Sequence, residues 1–178
     1  MNLVEWSART AASLPLVREV MPWLGSKRVA VVGDSMYPLL RPGDVLLCDR
    51  LAYVGRDVAR GDIVVFQHGS SQSGRMIKLV AGMPGEHIEV RGDRLWIDGC
   101  EIDFHSPMVG SLPGRWQVGA DELFVLSYAV AVGTDSRAFG PIRQSQVLGR
   151  GWYVLAPQSR AGRLEALDLR AAGSKTMP

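Results

Sequence analysis

The sequence is short of cysteine, lysine and aromatic residues, and it has no long hydrophobic run. Each shortage excludes something. Its two cysteines, Cys48 and Cys100, form no CxxC pair, which argues against a zinc site and allows one disulfide at most. Their ordinary reading is two buried or turn thiols. The longest apolar stretch free of charge, Leu123 to Thr134, sits between Glu122 and Asp135. It falls short of the roughly 20 residues that a membrane-spanning helix needs, and reads as a buried strand and turn. The first residues do not resemble a secretory signal: Glu5 precedes any basic residue, and Arg9 and Arg18 interrupt the apolar stretch. Residues 13 to 24 have the spacing of a short amphipathic helix, either packed on the core or lying in a membrane interface. A strong charge of one sign is missing too. The 20 basic and 18 acidic residues leave a net +2, which gives no reason to expect a nucleic-acid partner.

Common chemical signatures are also absent. There is no GxxxxGK[ST] phosphate loop, no GxGxxG after a strand and no GxSxG nucleophile elbow. The three histidines, His68, His87 and His105, lack metal-ligand spacing and read as surface or hairpin residues.

What remains is a chain of 178 residues, 47% hydrophobic, which suits one globular domain with an appendage. Short β-branched or apolar runs recur at Val29 to Val32, Val45 to Cys48, Ile63 to Phe66, Met76 to Val80, His87 to Val90, Leu95 to Ile97, Leu123 to Leu126 and Trp152 to Leu155. Turn residues punctuate them at 41 to 44, 60 to 62, 91 to 93 and Asp98-Gly99. This pattern predicts a mainly β protein, a barrel or sandwich of short strands. Residues 69 to 74 read as a surface loop. The polar, Arg-rich tail after Pro157 reads as a frayed or helical end.

One constellation carries chemistry. Gly33-Asp34-Ser35-Met36-Tyr37-Pro38 follows a strand, and its Gly and Pro bracket Ser35 in a turn that exposes a hydroxyl. Lys78 lies in the apolar run Met76 to Val80. By strand alternation it shares a face with Met76 and Val80, while Ile77 and Leu79 fill the other. No Asp or Glu occurs between Asp62 and Glu86 to pair with it. Burial lowers a lysine pKa, and a neutral lysine can take a proton from a serine hydroxyl. Arginine cannot, because it stays protonated. The chain uses lysine at 27, 78 and 175 alone and arginine elsewhere, so lysine at 78 points to proton transfer. A strand lysine that snorkels to the surface is the competing reading.

Four blocks in order resemble the type I signal peptidase family, the Ser-Lys serine proteases. They are Gly-Asp-Ser-Met-Tyr-Pro-Leu-Leu at 33 to 40, Arg-Gly-Asp-Ile-Val-Val-Phe at 60 to 66, Met-Ile-Lys-Leu-Val-Ala-Gly-Met-Pro-Gly-Glu at 76 to 86 and Asp-Ser-Arg-Ala-Phe-Gly-Pro-Ile at 135 to 142. The resemblance implies a signal-peptidase or LexA-like β-barrel-type catalytic core over residues 29 to 157. It would follow an N-terminal segment, 1 to 28, with a short helix, and precede a tail, 158 to 178. A small β-hairpin insertion would fill 83 to 120. The implied activity is a serine endopeptidase that removes leader or signal peptides after small residues, in an Ala-x-Ala-like pattern. By this resemblance Ser35 is the nucleophile and Lys78 the general base. The Ser35 backbone N–H, in the vicinity of Gly33, helps form the oxyanion hole. Asp135, Ser136 and Arg137 support the site, and Val31, Met36, Met76 and Ile77 line the substrate cleft. No metal or cofactor is implied. The implied partner is a precursor protein or peptide, with a membrane surface or membrane partner left open. Relatives work at membranes, whereas this chain shows neither a spanning segment nor a signal peptide, so cytoplasmic and peripheral locations both stay open.

The chain also departs from the family pattern. Gly33 lacks the serine hydroxyl that many relatives place two residues before the nucleophile. Ser127-Tyr128-Ala129 stands where the family has Gly-Asp-Asn, and Gly133 replaces the serine that hydrogen-bonds the lysine. Ser127 and Thr134 are the candidate substitutes. These departures leave open a specialised maturation protease for one precursor, of the nickel superoxide dismutase or conjugative-pilin kind. A LexA-like self-cleaving regulator is disfavoured, because residues 1 to 28 are too short for a DNA-binding domain and Ala81-Gly82 lies after Ser35. A catalytically dead binding module has only Gly133 in its support.

Overall fold

The structure, a computed structural model, describes residues 22–69, 74–104, 113–129, 131, 133–169 and 171. Its strands are β1 (Ser26–Ala30), β2 (Val45–Asp49), β3 (Ile63–Gln67), β4 (Arg75–Gly82), β5 (His87–Arg91), β6 (Arg94–Ile97), β7 (Cys100–Ile102), β8 (Gly114–Gln117), β9 (Glu122–Leu126), β10 (Ile142–Arg143), β11 (Val147–Ala156) and β12 (Gly162–Arg163). Among the described residues, 22–25 are helical and lead into β1, and a short helix, α1 (Ser136–Phe139), lies between β9 and β10.

Eight strands form one antiparallel sheet in the order β1-β2-β11-β3-β4-β9-β10, with β12 beside β11. β11 curls this sheet into a half-barrel. Residues 147–150 of β11 pair with β3, while residues 150–156 pair with β2, with register shifts along both seams. Such bulges bend a strand and increase its twist.

The central strands are apolar throughout because both their faces are covered. From β3, Ile63 and Val65 join a cluster with Val31, Met36, Leu40, Leu46 and Leu79. Val64 and Phe66 point the other way, into a cluster with Val58, Val80, Leu123 and Val125. Strands buried on both faces read as continuous hydrophobic runs, which is why these elements stand out in the sequence.

β5 to β8 make a separate sheet in the order β7-β6-β5-β8. Its strands β5 and β6 alternate strictly. Ile88, Val90, Leu95 and Ile97 face inward, onto Ala81, Phe124 and Leu126 of the main sheet. The turn between β6 and β7 is at Asp98-Gly99, with Asp98 at φ 48°, as a tight hairpin turn requires. β7 and β8 were not among the expected strands.

Three further expectations change. β1 begins at Ser26, three positions before the predicted strand, and ends at Ala30 rather than Val32. β11 extends back to Val147, because its glycines, at 149 and 151, and its bulges hid a strand that is nonetheless continuously paired. The tail is not frayed through residue 169: it opens with a one-turn 3-10 helix, Gln158–Arg160, passes through β12 and then runs as extended chain against the core. Leu164 N–H donates to Trp152 O at 2.8 Å and Leu167 N–H to Gly61 O at 2.9 Å. The side chains of Leu164, Leu167 and Leu169 pack on the core below Met36. Of the expected amphipathic helix, residues 13 to 21 lie outside the described residues, as do His105 and most of the 69 to 74 loop. Among the described residues, no helix is long and apolar enough to cross a membrane. Cys48 is buried in β2 and Cys100 exposed in β7, both as free thiols.

Candidate active site

Ser35 lies in the long connection from β1 to β2. That connection is closed at its base by backbone bonds from Val31 N–H to Asp44 O (2.9 Å) and from Gly43 N–H to Val31 O (3.0 Å). Inside it, Tyr37 N–H donates to Asp34 O and Leu40 N–H to Met36 O, so the segment 34–40 is tightly wound. Gly33 takes φ 84°, a left-handed conformation in which a side chain would strain the backbone. The side chains of Met36 and Leu40 anchor the loop in the core, and Ser35 is left half-buried at the surface.

Lys78 is in the middle of β4, opposite Val64 of β3. Only 3% of it is exposed, so it does not snorkel to the surface as the competing reading would have it. Its Nζ donates to Ser35 Oγ at 2.7 Å, across 43 residues of sequence. Burial lowers the Lys78 ammonium from 10.5 to about 8, the Asp135 charge pulls it partly back up and Arg137 pushes it down. At mildly alkaline pH the amine is therefore neutral in a large fraction of molecules. A neutral amine at this distance is placed to accept a hydroxyl proton.

The segment after β9 closes the site from one side. Ala129 N–H donates to Ser35 O at 2.9 Å, tying the strand end to the serine loop. Asp135, 1% exposed, accepts from Ser127 N–H at 2.8 Å and caps α1 through Arg137 N–H at 3.1 Å. Arg137 grips the same carboxylate with two bonds, Nε to Oδ1 and Nη2 to Oδ2, each 2.8 Å. Bidentate charge-assisted pairs of this kind fix geometry as well as energy. Ser136 Oγ accepts from Val125 N–H at 2.9 Å, so α1 is fastened to β9.

The expected cleft residues divide. Val31, Met36 and Ile77 gather in one cluster beneath the serine loop, with Val31 and Met36 fully buried. Met76 packs in the other cluster, against Val64, Phe66 and Val80. Of the two candidate substitutes for the missing serine, Thr134 is exposed and Ser127 is fully buried. His68 stacks on Phe139 at 4.2 Å, and His87 lies on the small sheet, 3.4 Å from Asp98 Oδ1.

A clamp beneath the serine loop escaped the sequence reading. Arg160, just after β11, donates to Asp44 Oδ1 and Oδ2 and to Leu39 O at 3.0 to 3.2 Å. Burial alone would raise the Asp44 carboxyl, but Arg160 and the Arg41 N–H outweigh it and hold the group below its usual range. The turn Arg-Pro-Gly-Asp flagged Asp44 as a turn residue, but nothing local marks Arg160 as its partner 116 positions away.

The family model described as "Signal peptidase, peptidase S26" matches residues 5–155. The chain belongs to that family. This makes it a serine-type endopeptidase. Among curated relatives, the signal peptidase I of Leptolyngbya laminosa is 30% identical over 145 residues, covering 75% of this chain and 70% of the relative. That of Bacillus amyloliquefaciens is 38% identical over 143 residues, covering 71% of this chain and 72% of the relative. Among solved structures, a signal peptidase I from Enterococcus faecalis matches 57% of this chain and 98% of its own, with 25% identity and a TM-score of 0.43. The peptidase S26 match spans the serine turn, the lysine strand and α1 alike.

Proposed function

We propose that this chain removes signal peptides from precursor proteins, with Ser35 as nucleophile and Lys78 as general base. The hydrogen bond between Lys78 Nζ and Ser35 Oγ carries this reading. Neutral Lys78 takes the proton of Ser35 as Oγ attacks the carbonyl carbon of the scissile peptide. The Ser35 backbone N–H stabilises the oxyanion, beside a Gly33 that supplies no hydroxyl. The tetrahedral intermediate collapses, the leaving amine receives the proton from Lys78, and an ester on Ser35 remains. Lys78 then takes a proton from water as the water attacks the ester, and returns it to Ser35 Oγ as the acyl–oxygen bond breaks, which frees the product acid and restores neutral Lys78 and the Ser35 hydroxyl.

Val31, Met36 and Ile77 form the apolar floor beside the nucleophile in this reading. They favour small side chains such as alanine at the first and third positions before the cut. Met76 lies on the face of β4 opposite Ile77 and contributes through packing. Asp135, Ser136 and Arg137 hold the wall that contains Ser127.

The test is cleavage of a peptide library varied at those two positions, from pH 6 to 10, by wild type and Ser35→Ala. Cuts after Ala-x-Ala that vanish in the variant and rise with pH through about 8 support the dyad. Undiminished cutting by a folded Ser35→Ala protein sinks it.

A further inference from the structure

The wall of the site holds a buried hydroxyl outside the serine–lysine pair. Ser127 is fully buried, and among the described residues its Oγ has no hydrogen-bond partner. A buried polar atom left unpaired is costly, and such atoms in folded proteins generally have a use. Its location gives the use. A Cβ placed on Gly133 would stand 1.8 Å from Ser127 Oγ and 2.3 Å from Ser127 Cβ. The same Cβ would stand 3.3 Å from Ser35 Cβ. One space beside the nucleophile can thus be filled from residue 127 or from residue 133, but not from both. In this chain it is filled from 127, by a hydroxyl, while 133 has no side chain.

The backbone around this space is held firmly. Asp135 Oδ2 accepts from Ser127 N–H at 2.8 Å, and Arg137 Nη2 donates to Gly133 O at 3.3 Å. The Asp135–Arg137 pair therefore fixes both positions that compete for the space. Asp135 and Arg137 are also the charges that act on the Lys78 amine.

Resting on the dyad reading above, we infer that Ser127 is a positioning residue for Lys78. When Lys78 is neutral and turns its lone pair to the Ser35 hydroxyl, its two N–H bonds need acceptors. Ser127 Oγ accepts one of them, and this fixes the rotation of the amine at the moment of proton transfer. The hydroxyl comes from position 127 because Gly133 makes room for it. The two positions form an exchangeable pair: one carries the hydroxyl and the other must be glycine.

The experiment compares wild type with Ser127→Ala, Ser127→Cys, Gly133→Ser and the exchange variant Ser127→Gly/Gly133→Ser. Peptide cleavage is followed from pH 6 to 10, and thermal unfolding is measured alongside. Ser127→Ala and the volume-preserving Ser127→Cys are expected to lower kcat about 10- to 100-fold, to leave KM within about twofold, and to displace the midpoint of the pH profile. Gly133→Ser alone collides with Ser127 and is expected to unfold at lower temperature. The exchange variant is expected to regain about tenfold over Ser127→Ala. Wild-type kcat and pH profile in Ser127→Ala, or an exchange variant that folds yet gains nothing over it, overturns the inference. Ser35→Ala and Lys78→Ala run as controls. If they abolish cleavage while Ser127→Ala changes nothing, the positioning role alone falls. If they cleave normally, the dyad falls and takes this role with it.

Discussion

The two sheets bury different things. The main sheet buries charge: Asp44, Asp49, Asp62, Lys78 and Asp135 are all inaccessible or nearly so. The small sheet, β5 to β8, keeps its charges at the surface. There Glu89 bonds to Arg91 and Arg115, and Arg94 bonds to Glu101, all on the outer face. Exposed pairs of this kind add little to stability, whereas a buried charge must be matched or its protonation shifts. Four of these five buried charges are carboxylates, each accepting hydrogen bonds from backbone or side-chain N–H groups. The fifth is Lys78, whose bond is to a neutral hydroxyl. The comparison separates charge used for architecture from charge left partly uncompensated, which is the condition for proton transfer near neutral pH.

Substitutions test that separation. The largest effect is expected on the main sheet for Ser35→Ala. It should lower kcat about 10⁴-fold or more with the unfolding midpoint unchanged, read by peptide cleavage and calorimetry. Lys78→Arg should be as inactive as Lys78→Ala, because a side chain that cannot lose its proton cannot replace one that can. A cleaving arginine variant would make Lys78 structural.

Lys78→Met should be inactive and yet more stable. The lysine pKa is about 8 in the folded protein and 10.5 in the unfolded chain. Below pH 8 both states bind the proton, so the folded state bears the whole desolvation cost. Between about 8 and 10.5 the unfolded chain binds more protons, so this cost is relieved as pH rises. The methionine variant should therefore gain up to about 3 kcal/mol at pH 7 and progressively less toward pH 10.5. A gain independent of pH would show that the amine is not the source of the cost.

Asp135→Asn breaks a buried pair and takes away the carboxylate charge that Arg137 grips. It should cost about 3 kcal/mol, measured by denaturant unfolding, and the remaining folded protein should still react with an acylating probe. At the other extreme, Glu89→Gln on the small sheet should leave both unfolding temperature and cleavage unchanged. A measurable loss there would blur the contrast between the sheets.

The sequence is legible where one rule decides the outcome. Continuous apolar runs mark β2, β3 and β9, because both their faces are buried. Strict alternation marks β5 and β6. β8, Gly-Arg-Trp-Gln, is too short to show alternation, and β10 and β12 have two residues each. The tail defeats a reading by composition. Over residues 158 to 169 polar side chains outnumber the leucines, yet Leu164, Leu167 and Leu169 are the ones that dock on the core. The serine turn and the lysine strand are recognisable because each keeps its local pattern. Ser127 is visible only as one of two hydroxyls. The choice over Thr134 depends on the path of the chain around Gly133, and no local pattern specifies that path.

The Arg160 clamp also has a consequence in time. Ser35 and Asp44 are made before the guanidinium that braces their loop, which is 116 residues behind Asp44. At about 5–20 residues per second, a growing chain waits on the order of ten seconds between the two. During that interval the loop that carries Ser35 lacks its brace, and it gains one only once residue 160 has been made.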